Sequence, residues 1–327
     1  MEDNLSYFIK GDFILRFRPK RTFFKNDITK YVLNILYSIL VNLVLFLYNT
    51  FFKKKKDFKY TISACCMFKN ESSFLDEWIK YHLVVGIDHF YLYNNNSDDN
   101  FIEILSPYID SGIVELIDWP YESSQMRAYE DCYKKNKFET NWLTFIDIDE
   151  FVCPISSDNI KSWLHSYSKY PGVAVYWKQF GSNGRIIHGK EKYVIEQYTQ
   201  CWPKHSTLTK MFCNMNFEIK SFDTPHLICS YLFGLKIPPI NQYFKLIFLE
   251  VHRTSKIENS IQINHYWGKA WNCFVDSKIN RSDVYYPDSR EMSELRLKLL
   301  KSHESMCTVR DFTIHRFLLY TKLKEIN

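Results

Sequence analysis

Three acidic residues lie inside one apolar, aromatic run of the sequence. The segment TNWLTFIDIDEFVCP covers residues 140–154, and its only charged side chains are Asp147, Asp149 and Glu150. Burying an unpaired carboxylate costs several kcal/mol, so such acids are normally paired, hydrogen-bonded or bound to a metal. Neighbouring carboxylates suit a hard divalent cation that keeps water and phosphate oxygens as its other ligands. The segment therefore predicts a metal site, with ion pairing to lysine or arginine at a strand end as the structural alternative.

The spacing of the three acids predicts which way their side chains point. If residues 142–149 form a strand, Asp147 and Asp149 project from one face and Glu150 projects from the other. Two carboxylates then stand together at the end of the strand, where a cation can bind.

The chain before the acidic run alternates between strand and helix patterns. Short apolar runs predict strands, and an apolar stripe that ends at Gly86 predicts the first helix. This alternation predicts an α/β fold with a mostly parallel central sheet flanked by helices. The predicted series is strand 60–68, helix 72–86, strand 87–93, helix 101–109, strand 113–119, a helix through 126–133 and strand 142–149.

Polar residues follow three of the four predicted strands. Lys69-Asn70-Glu71 follows the first strand, residues 94–99 follow the second, and the acids at 147–150 end the fourth. Ligands of open parallel sheets bind beyond the carboxyl ends of the strands. We therefore expect these strand ends to converge on one cleft.

Composition is that of a globular protein with a sizeable core. The chain has 327 residues, of which 46% are hydrophobic and 17% aromatic. Its net charge of +5 comes from the N-terminal arm, because residues 57–327 hold 31 Lys and Arg against 33 Asp and Glu. A near-neutral domain argues against a nucleic-acid partner, which needs a basic face.

Nine cysteines are present, including the adjacent Cys65 and Cys66, and none shows a CxxC spacing. This pattern has no zinc-like pairing with histidine. It predicts reduced thiols that are mostly buried.

An uncharged stretch covers residues 31–52 and is followed at once by four lysines. Its length matches the roughly 20 residues that span a bilayer, and it is too long and starts too late for a cleavable signal peptide. Polar residues at every fourth position leave open a helix in the membrane interface or one packed against protein. We predict a basic arm with an anchor helix over 1–56, a globular domain over 57–327, and membrane contact through 31–52.

Flanking charge does not predict the orientation in the membrane, because six Lys and Arg lie in the 20 residues on each side of the apolar stretch. Two glycosylation sequons begin at Asn70 and Asn95. Both fall at the predicted cleft, where a glycan would block the site. We therefore predict a single-pass protein near its N-terminus, with the domain on the cytosolic side.

Several segments resemble glycosyltransferase family 92 and related family-2-like enzymes of the GT-A fold, in order and in spacing. The earlier ones are FKNESSFLDEWIKYHLVVGIDHFYLYNNNSDDN, QMRAYEDCY and WLTFIDIDEF. The later ones are VYWKQFGSNG, the isolated Lys210 and INHYWGKAWNCFVDSKINRSD. The resemblance runs from about Tyr60 to Asp283. One departure is that the second strand ends in Asn94-Asn95, where many relatives have an aspartate.

The resemblance implies an inverting transferase that takes a sugar from a nucleotide-diphosphate donor, with Mn²⁺ or Mg²⁺. A UDP-sugar is the favoured donor, UDP-galactose in particular, and a glycan or glycoconjugate is the acceptor. It implies that Asp147 and Asp149 bind the metal with His265, and that Lys269 lies near the diphosphate. The residues it implies for the donor pocket are Asn70, Glu71, Asn95, Asp99 and Asp147.

An inverting transfer also needs a base for the acceptor hydroxyl. Asp223 and His226, in the segment SFDTPHLIC, are the candidates because a loop between strands would face the cleft. Trp177 and Phe180 can stack on a sugar face, although aromatic residues are also ordinary core.

Two other functions fit parts of the sequence. A non-catalytic member of the fold would bind a nucleotide sugar or glycan without turnover. A DxD phosphatase would use the first aspartate as nucleophile, but there the motif normally follows the first strand, whereas here three strand-helix units precede it.

Overall fold

The computed structural model describes residues 27–54, 56–122, 124–189, 192–220, 222, 224–247, 259–279 and 290–325. The central sheet has the strand order β3-β2-β1-β4-β8-β6-β12-β5, with β11 beside β6. Two short antiparallel strand pairs, β9 with β10 and β7 with β13, lie outside it. The strands are β1 Tyr60–Phe68, β2 His89–Asn94, β3 Val114–Asp118, β4 Thr140–Phe145, β5 Glu150–Pro154, β6 Gly172–Gln179, β7 Gln200–Cys201, β8 Thr209–Asn214, β9 Ser230–Leu232, β10 Leu235–Ile237, β11 Ile240–Asn241, β12 Ile261–His265 and β13 Val309–Arg310.

Helices connect the parallel strands as predicted. β1 pairs in parallel with β2 and with β4, and β2 pairs in parallel with β3, so the four predicted strands and three predicted helices are confirmed. The helices are α1 Asp27–Leu47, α2 Ser72–Val85, α3 Phe101–Asp110, α4 Gln125–Asn136, α5 Ile160–His165, α6 Val194–Gln197, α7 Trp271–Phe274, α8 Arg290–Met306 and α9 Leu318–Lys322.

The fourth strand ends earlier than the sequence pattern predicts. β4 stops at Phe145, and the chain turns before β5 begins at Glu150. The Glu150 amide donates to the Asp147 carbonyl at 3.0 Å, and the Asp147 amide donates to the Glu150 carboxylate at 3.0 Å. These two bonds close a tight turn, so the prediction that Asp147 and Asp149 lie on a strand is wrong.

The second half of the sheet brings a distant segment to this turn. β12 runs antiparallel to β5 and parallel to β6, and its register places His265 opposite Glu150. β8 inserts antiparallel between β4 and β6. Residues more than 60 positions downstream of the acids therefore share their end of the sheet.

The core side of α2 holds this end of the sheet in place. Leu75, Trp78 and Ile79 are fully buried on it, and the helix ends at Gly86, whose φ of 107° is accessible to glycine at little cost. The indole N–H of Trp78 donates to the carbonyls of Asp147 at 3.0 Å and Glu150 at 2.9 Å. One core side chain thus ties the helix directly to the acidic turn.

His82 on the same helix is held as a neutral ring. Its Nδ1 lies 2.8 Å from the Trp78 carbonyl, which can only accept, so Nε2 accepts the hydrogen bond from the Val152 amide at 3.2 Å. Burial lowers the pKa of His82 to about 3. Protonation would remove the acceptor for Val152 and place a charge in the core.

We expect acid to unfold this protein through its buried histidines. Because the pKa of each is lower in the fold than in an unfolded chain, unfolding takes up protons below about pH 6.5. The stabilising contribution is complete above that pH and is lost as the pH falls toward 4. Burial lowers the pKa to about 3 for His82 and to about 4 for His89, His188, His205, His226 and His303.

Glu77 acts in the opposite direction, because burial raises its pKa to about 7 and favours its protonated form in the fold. Burial also raises the pKa of Glu150 and of Glu304, which act in the same direction as Glu77. The six histidines outnumber these three carboxyl groups. Urea unfolding at several pH values between about pH 7 and about pH 5 measures which of the two opposing effects on stability is larger. The midpoint should fall with the pH, and a midpoint that stays constant or rises would show that the histidines are not buried as described.

The N-terminal helix packs on the domain along one side. In α1, Val41 and Leu45 are buried against Phe217, Leu232 and Ile237. Residues Ile35–Phe52 form a helical stretch long and apolar enough to cross a membrane, and a signal sequence near the N-terminus passes the same test. The predicted boundary between residues 56 and 57 stays a prediction.

Eight of the nine cysteines are buried and all are free thiols, as predicted. Helix α8 near the C-terminus buries Leu300 and His303.

Candidate active site

The acidic turn between β4 and β5 gives Asp147 three protein partners. Its Oδ1 accepts from the Gln125 amide at 3.0 Å and from the Tyr129 hydroxyl at 3.1 Å, both on α4. Its Oδ2 accepts from the Lys210 ammonium at 2.8 Å. The Asp147 side chain is one-third exposed, so it faces the cleft while being held in place. Its predicted roles in the donor pocket and as a metal ligand stay predictions.

A second group of side chains has the composition of a cation site. Asp149, Glu150 and His265 each place a ligand atom within 4.8 Å of the others. His265 Nε2 lies 3.7 Å from Asp149 Oδ1. Glu150 is fully buried, and its Oε1 has no hydrogen-bond partner among the residues that the structure describes. A buried carboxylate oxygen without a donor is costly, and a divalent cation would satisfy it, so these residues fit a metal.

Glu150 therefore points toward the other acids and not away from them. The continuous strand predicted over 142–149 would have placed it on the opposite face. The turn at 146–149 breaks the two-residue alternation, so the face of Glu150 is set by its bonds to the Asp147 amide and to Lys210. The prediction for the direction of the Glu150 side chain is wrong.

Lys210 supplies the positive charge of this site from β8. Its Nζ lies 2.8 Å from Asp147 Oδ2 and 3.4 Å from Glu150 Oε2, and the side chain is 1% exposed. Burial alone would lower the pKa of Lys210, but the two carboxylates outweigh it and the pKa lies above its ordinary value. Burial raises the pKa of Glu150, and Lys210 opposes this without cancelling it. Lys210 is therefore charged and binds both ends of the turn.

The ends of β1 and β2 meet as predicted. Asn70 Oδ1 accepts from the Asp98 amide at 2.9 Å, and the Asn70 amide donates to Ser97 Oγ at 3.0 Å. Asp99 Oδ2 accepts from the Ser72 amide at the start of α2 at 2.8 Å. The other oxygen of Asp99 is buried and has no hydrogen-bond partner in the described part of the chain. The structure brings Asn70 and Asp99 together.

Asn95 is fixed by the end of β3. Its Nδ2 donates to the carbonyls of Trp119 at 2.7 Å and Tyr121 at 2.9 Å. Asp118, the last residue of β3, lies opposite Asn94 in the register and accepts from its Nδ2 at 3.4 Å.

Lys269 and Glu71 face each other across the cleft edge. Lys269 Nζ lies 4.0 Å from Glu71 Oε2 and 3.8 Å from the centre of the Phe74 ring. Both charged side chains are about one-tenth exposed. The two residues predicted for the donor site are therefore adjacent, on the segment before α2 and on the segment after β12.

Trp177 and Phe180 do not offer a free ring face for a sugar. Phe180 is fully buried, so a stacking role for it is wrong. The Trp177 ring packs 4.3 Å from the His265 ring, with the His226 ring edge-on at 4.9 Å. Both aromatic residues belong to the wall that supports His265.

The His226 ring packs edge-on against Trp177, and Asp223 lies outside the described residues. His226 Nδ1 is 2.8 Å from the Thr209 carbonyl, so Nδ1 carries the hydrogen and Nε2 is the acceptor in the neutral ring. Burial and, to a lesser extent, the charge of Lys210 lower the pKa of His226 to about 4.

The sequence analysis gave no role to Gln125, Tyr129 or Lys210. The signal for Lys210 was present, since a lysine inside the apolar run TLTKMF of β8 requires a buried carboxylate partner. Gln125 and Tyr129 are four residues apart on α4, and this spacing places them on one face of the helix.

Fold and site together define an α/β protein with a candidate cation site at the carboxyl edge of its sheet. Residues 58–266 match the sequence model of Glycosyltransferase family 92, which is more than half of the chain. The chain belongs to this family. The predicted α/β fold is confirmed, with a mostly parallel central sheet, flanking helices and an N-terminal apolar helix.

Relatives with assigned names agree with this. Glycosyltransferase family 92 protein Os08g0121900 of Oryza sativa subsp. japonica is 32% identical over 248 residues, covering 74% of this chain and 38% of its own length. Galactan beta-1,4-galactosyltransferase GALS3 of Arabidopsis thaliana is 30% identical over 153 residues, covering 43% of this chain and 30% of its own length. The chain thus spans about two-fifths of the length of the family 92 relatives that it matches.

A solved structure with lower similarity is S. aureus TarS 1-349 in complex with UDP-GlcNAc. It has a TM-score of 0.35 and 10% identity, over 80% of this chain and 72% of that chain.

Proposed function

We propose that this protein is a metal-dependent, inverting glycosyltransferase that moves a sugar from a UDP-sugar to a glycan or glycoconjugate acceptor. The observation that carries the proposal is the cluster of Asp149, Glu150 and His265, in which a buried carboxylate oxygen lacks a donor. UDP-galactose is the favoured donor, supported by relatives named as galactosyltransferases.

Asp149, Glu150 and His265 would hold Mn²⁺ or Mg²⁺. When bound, such a cation neutralises the charge that develops on a leaving diphosphate. Carboxylate oxygens suit both ions, and an imidazole nitrogen in the set favours Mn²⁺.

The protein's own cations have separate roles in this proposal. Lys210 is engaged by Asp147 and Glu150, so it fixes the turn and is not free to meet the donor. Lys269 is held over the Phe74 ring at the cleft edge, with Glu71 at 4.0 Å. Lys269 is therefore the side chain that we assign to the diphosphate.

The donor pocket lies at the ends of β1, β2 and β3. Asn70, Asp99 and Asn95 are fixed there by backbone partners, so their positions do not depend on a ligand. A preorganised pocket of this kind loses little conformational entropy when it binds.

In the transfer, the acceptor oxygen bonds to the anomeric carbon while the bond from that carbon to the diphosphate breaks, and the hydroxyl proton passes to a base. We assign His226 Nε2 as the base, since the Thr209 carbonyl fixes the tautomer that leaves Nε2 as the acceptor. Asp223 is the alternative base.

His226→Ala should lower the rate of transfer by about 10²–10⁴-fold, which is what a positioned base contributes. Stabilisation of the protein by UDP with Mn²⁺ should be unchanged, because His226 is not in the donor pocket of this proposal. The measurement is transfer rate beside thermal shift. Transfer at the parental rate in His226→Ala, with a large loss in Asp223→Asn, would reassign the base to Asp223.

The function itself is tested with the full chain and a set of UDP-sugars, with Mn²⁺ or with EDTA. UDP release and thermal shift are measured together, since a ligand that binds the native state raises apparent stability. Metal-dependent release of UDP supports the transferase. A thermal shift without UDP release would instead support a non-catalytic nucleotide-sugar-binding protein.

We propose that the domain faces the cytosol, and Asn95 provides the test. A glycan on Nδ2 of Asn95 would displace its bonds to the Trp119 and Tyr121 carbonyls. We expect no glycan at Asn95 or Asn70 when the protein is made in a eukaryotic cell and checked by peptide mass mapping. A glycan at either residue on active protein would contradict both the pocket and the cytosolic side.

A further inference from the structure

Helix α1 is fastened to the domain along much of its length. Tyr48 donates its hydroxyl to the Asn216 carbonyl at 2.8 Å, and Asn49 donates to the Lys169 carbonyl at 2.9 Å. Near the other end, the Tyr37 hydroxyl donates to the Lys236 carbonyl. With the buried Val41 and Leu45 between them, these bonds make one continuous contact with the domain.

The opposite side of the helix is apolar and exposed. Its side chains recur at three- and four-residue spacings, so they form one stripe. They are 37–70% exposed, whereas a soluble monomer rarely leaves so many large apolar side chains together in water. A π-helical turn, Tyr48–Phe52, continues α1. The outer face of α1, taken together with this turn, consists of Ile35, Leu36, Ile39, Leu40, Leu43, Phe46, Leu47, Phe51 and Phe52.

A hairpin of the domain extends this face. β9 and β10 are joined by a turn at Phe233 and Gly234, both in the left-handed region with φ of 51° and 82°. Phe233 is 66% exposed, and its ring centre lies 5.0 Å from that of Phe52, edge to face. The left-handed backbone conformation is strained for phenylalanine, and exposure of the Phe233 ring to water is also unfavourable. We therefore expect the exposed ring to contact an apolar partner.

The contact with the domain decides how the helix can meet a bilayer. Tyr37 to Tyr48 is a rise of about 16 Å, more than half of the roughly 30 Å hydrocarbon core. If α1 crossed that core, the two-stranded hairpin and the loop at 216–217 would lie at the same depth. Open sheet edges and irregular loops are not stable in lipid, because their backbone groups find no partners there.

Charge next to the outer face points to the kind of lipid. Four lysines at 53–56 directly follow Phe52, and Lys54 among them is exposed. The ammonium groups of Lys53 and Lys56 donate to carbonyls of the domain. Lysines at the edge of an apolar helix face favour anionic headgroups.

We propose that the outer face of α1 and Phe233 lie together in the plane of an anionic membrane, and that the domain rests on the membrane at this surface. The helix then does not cross the bilayer, and residues before α1 lie on the same side as the domain. This inference concerns membrane contact alone and does not rest on the proposed transferase activity.

Vesicle flotation of the full chain tests the surface, with phosphatidylcholine vesicles that contain or lack phosphatidylserine. Phe233→Asn is the variant of choice because asparagine tolerates the left-handed conformation. Losing a buried phenyl side chain should weaken binding to the anionic vesicles about tenfold. Phe312→Ser, at a 52% exposed position on the C-terminal segment, is the control and should bind like the parent.

The melting temperature of each variant checks that it is folded. Equal loss of binding in both variants, or parental binding by a folded Phe233→Asn protein, would overturn the role of Phe233. If the protein does not bind vesicles, and light scattering shows that it forms dimers through this face, the assignment of lipid as the partner is overturned.

Topology gives a second and independent test. Sealed membrane vesicles from cells that express the chain with an N-terminal epitope are treated with protease. In-plane binding predicts that the epitope and the domain are both digested or both protected. Protection of one and digestion of the other would show a spanning helix and overturn the proposal.

Discussion

Asp149→Asn should lower the rate of sugar transfer by at least about 10²–10³-fold, which is the usual cost of one lost electrostatic contact to a leaving group. The substitution keeps the shape of the side chain but removes a charge from the cluster with Glu150 and His265. The fold should stay as stable as the parent, because clustered carboxylates repel one another when no cation is bound.

The measurement is the transfer rate at saturating donor, beside the melting temperature. Asp158→Asn is the matched control, since Asp158 is 97% exposed and its ion pair with Arg316 is on the surface. Glu150→Gln and His265→Ala should follow Asp149→Asn, because the structure places all three side chains in one cluster. A parental rate in Asp149→Asn would show that the acids have a structural role only.

Lys210→Met should have the largest effect on stability. Lys210 is 1% exposed and lies between Asp147 and Glu150, so its loss leaves two carboxylates together without their cation. Removing one partner of a buried ion pair typically costs about 3–5 kcal/mol. We expect a loss of that size in the free energy of unfolding, measured with urea.

A double-mutant cycle separates this loss from a simple packing defect. Glu150→Gln in the Lys210→Met background removes the uncompensated charge, so the double variant should recover part of the lost stability. Mn²⁺ should also raise the melting temperature of Lys210→Met more than that of the parent. If the double variant loses more free energy of unfolding than the two single variants lose together, the ion pair is contradicted.

Local patterns were sufficient to predict the first half of the sheet. Each strand-helix unit from Tyr60 to Asn136 has its own apolar period and ends in turn residues, and the convergence of Asn70 with Asp99 follows from parallel pairing. A few consecutive residues likewise suffice to predict the apolar face of α2 and its end at Gly86.

Such local patterns could not predict the acidic turn between β4 and β5. The alternation of Asp147, Ile148 and Asp149 fits a strand as well as it fits a turn, and what decides is the pair of hydrogen bonds between Asp147 and Glu150. The direction of one side chain, Glu150, therefore depended on contacts that no short segment contains.

Long-range partners explain the remaining differences. Lys210 reaches the turn because β8 inserts between β4 and β6, and His265 reaches it because β12 pairs with β5. Neither pairing has a local signature in the sequence. Phe180 carries the same aromatic side chain whether it lines a cleft or fills a core, and only its full burial distinguishes the two.

The most direct test of the cation site is the rate of UDP release from a UDP-sugar as a function of Mn²⁺ concentration, for the parent and for Asp149→Asn. The parent should be inactive in EDTA and should rise to a plateau with Mn²⁺. Asp149→Asn should need much more Mn²⁺ and reach a far lower plateau. Superimposable curves, or full activity of the parent in EDTA, would contradict a catalytic cation held by Asp149, Glu150 and His265.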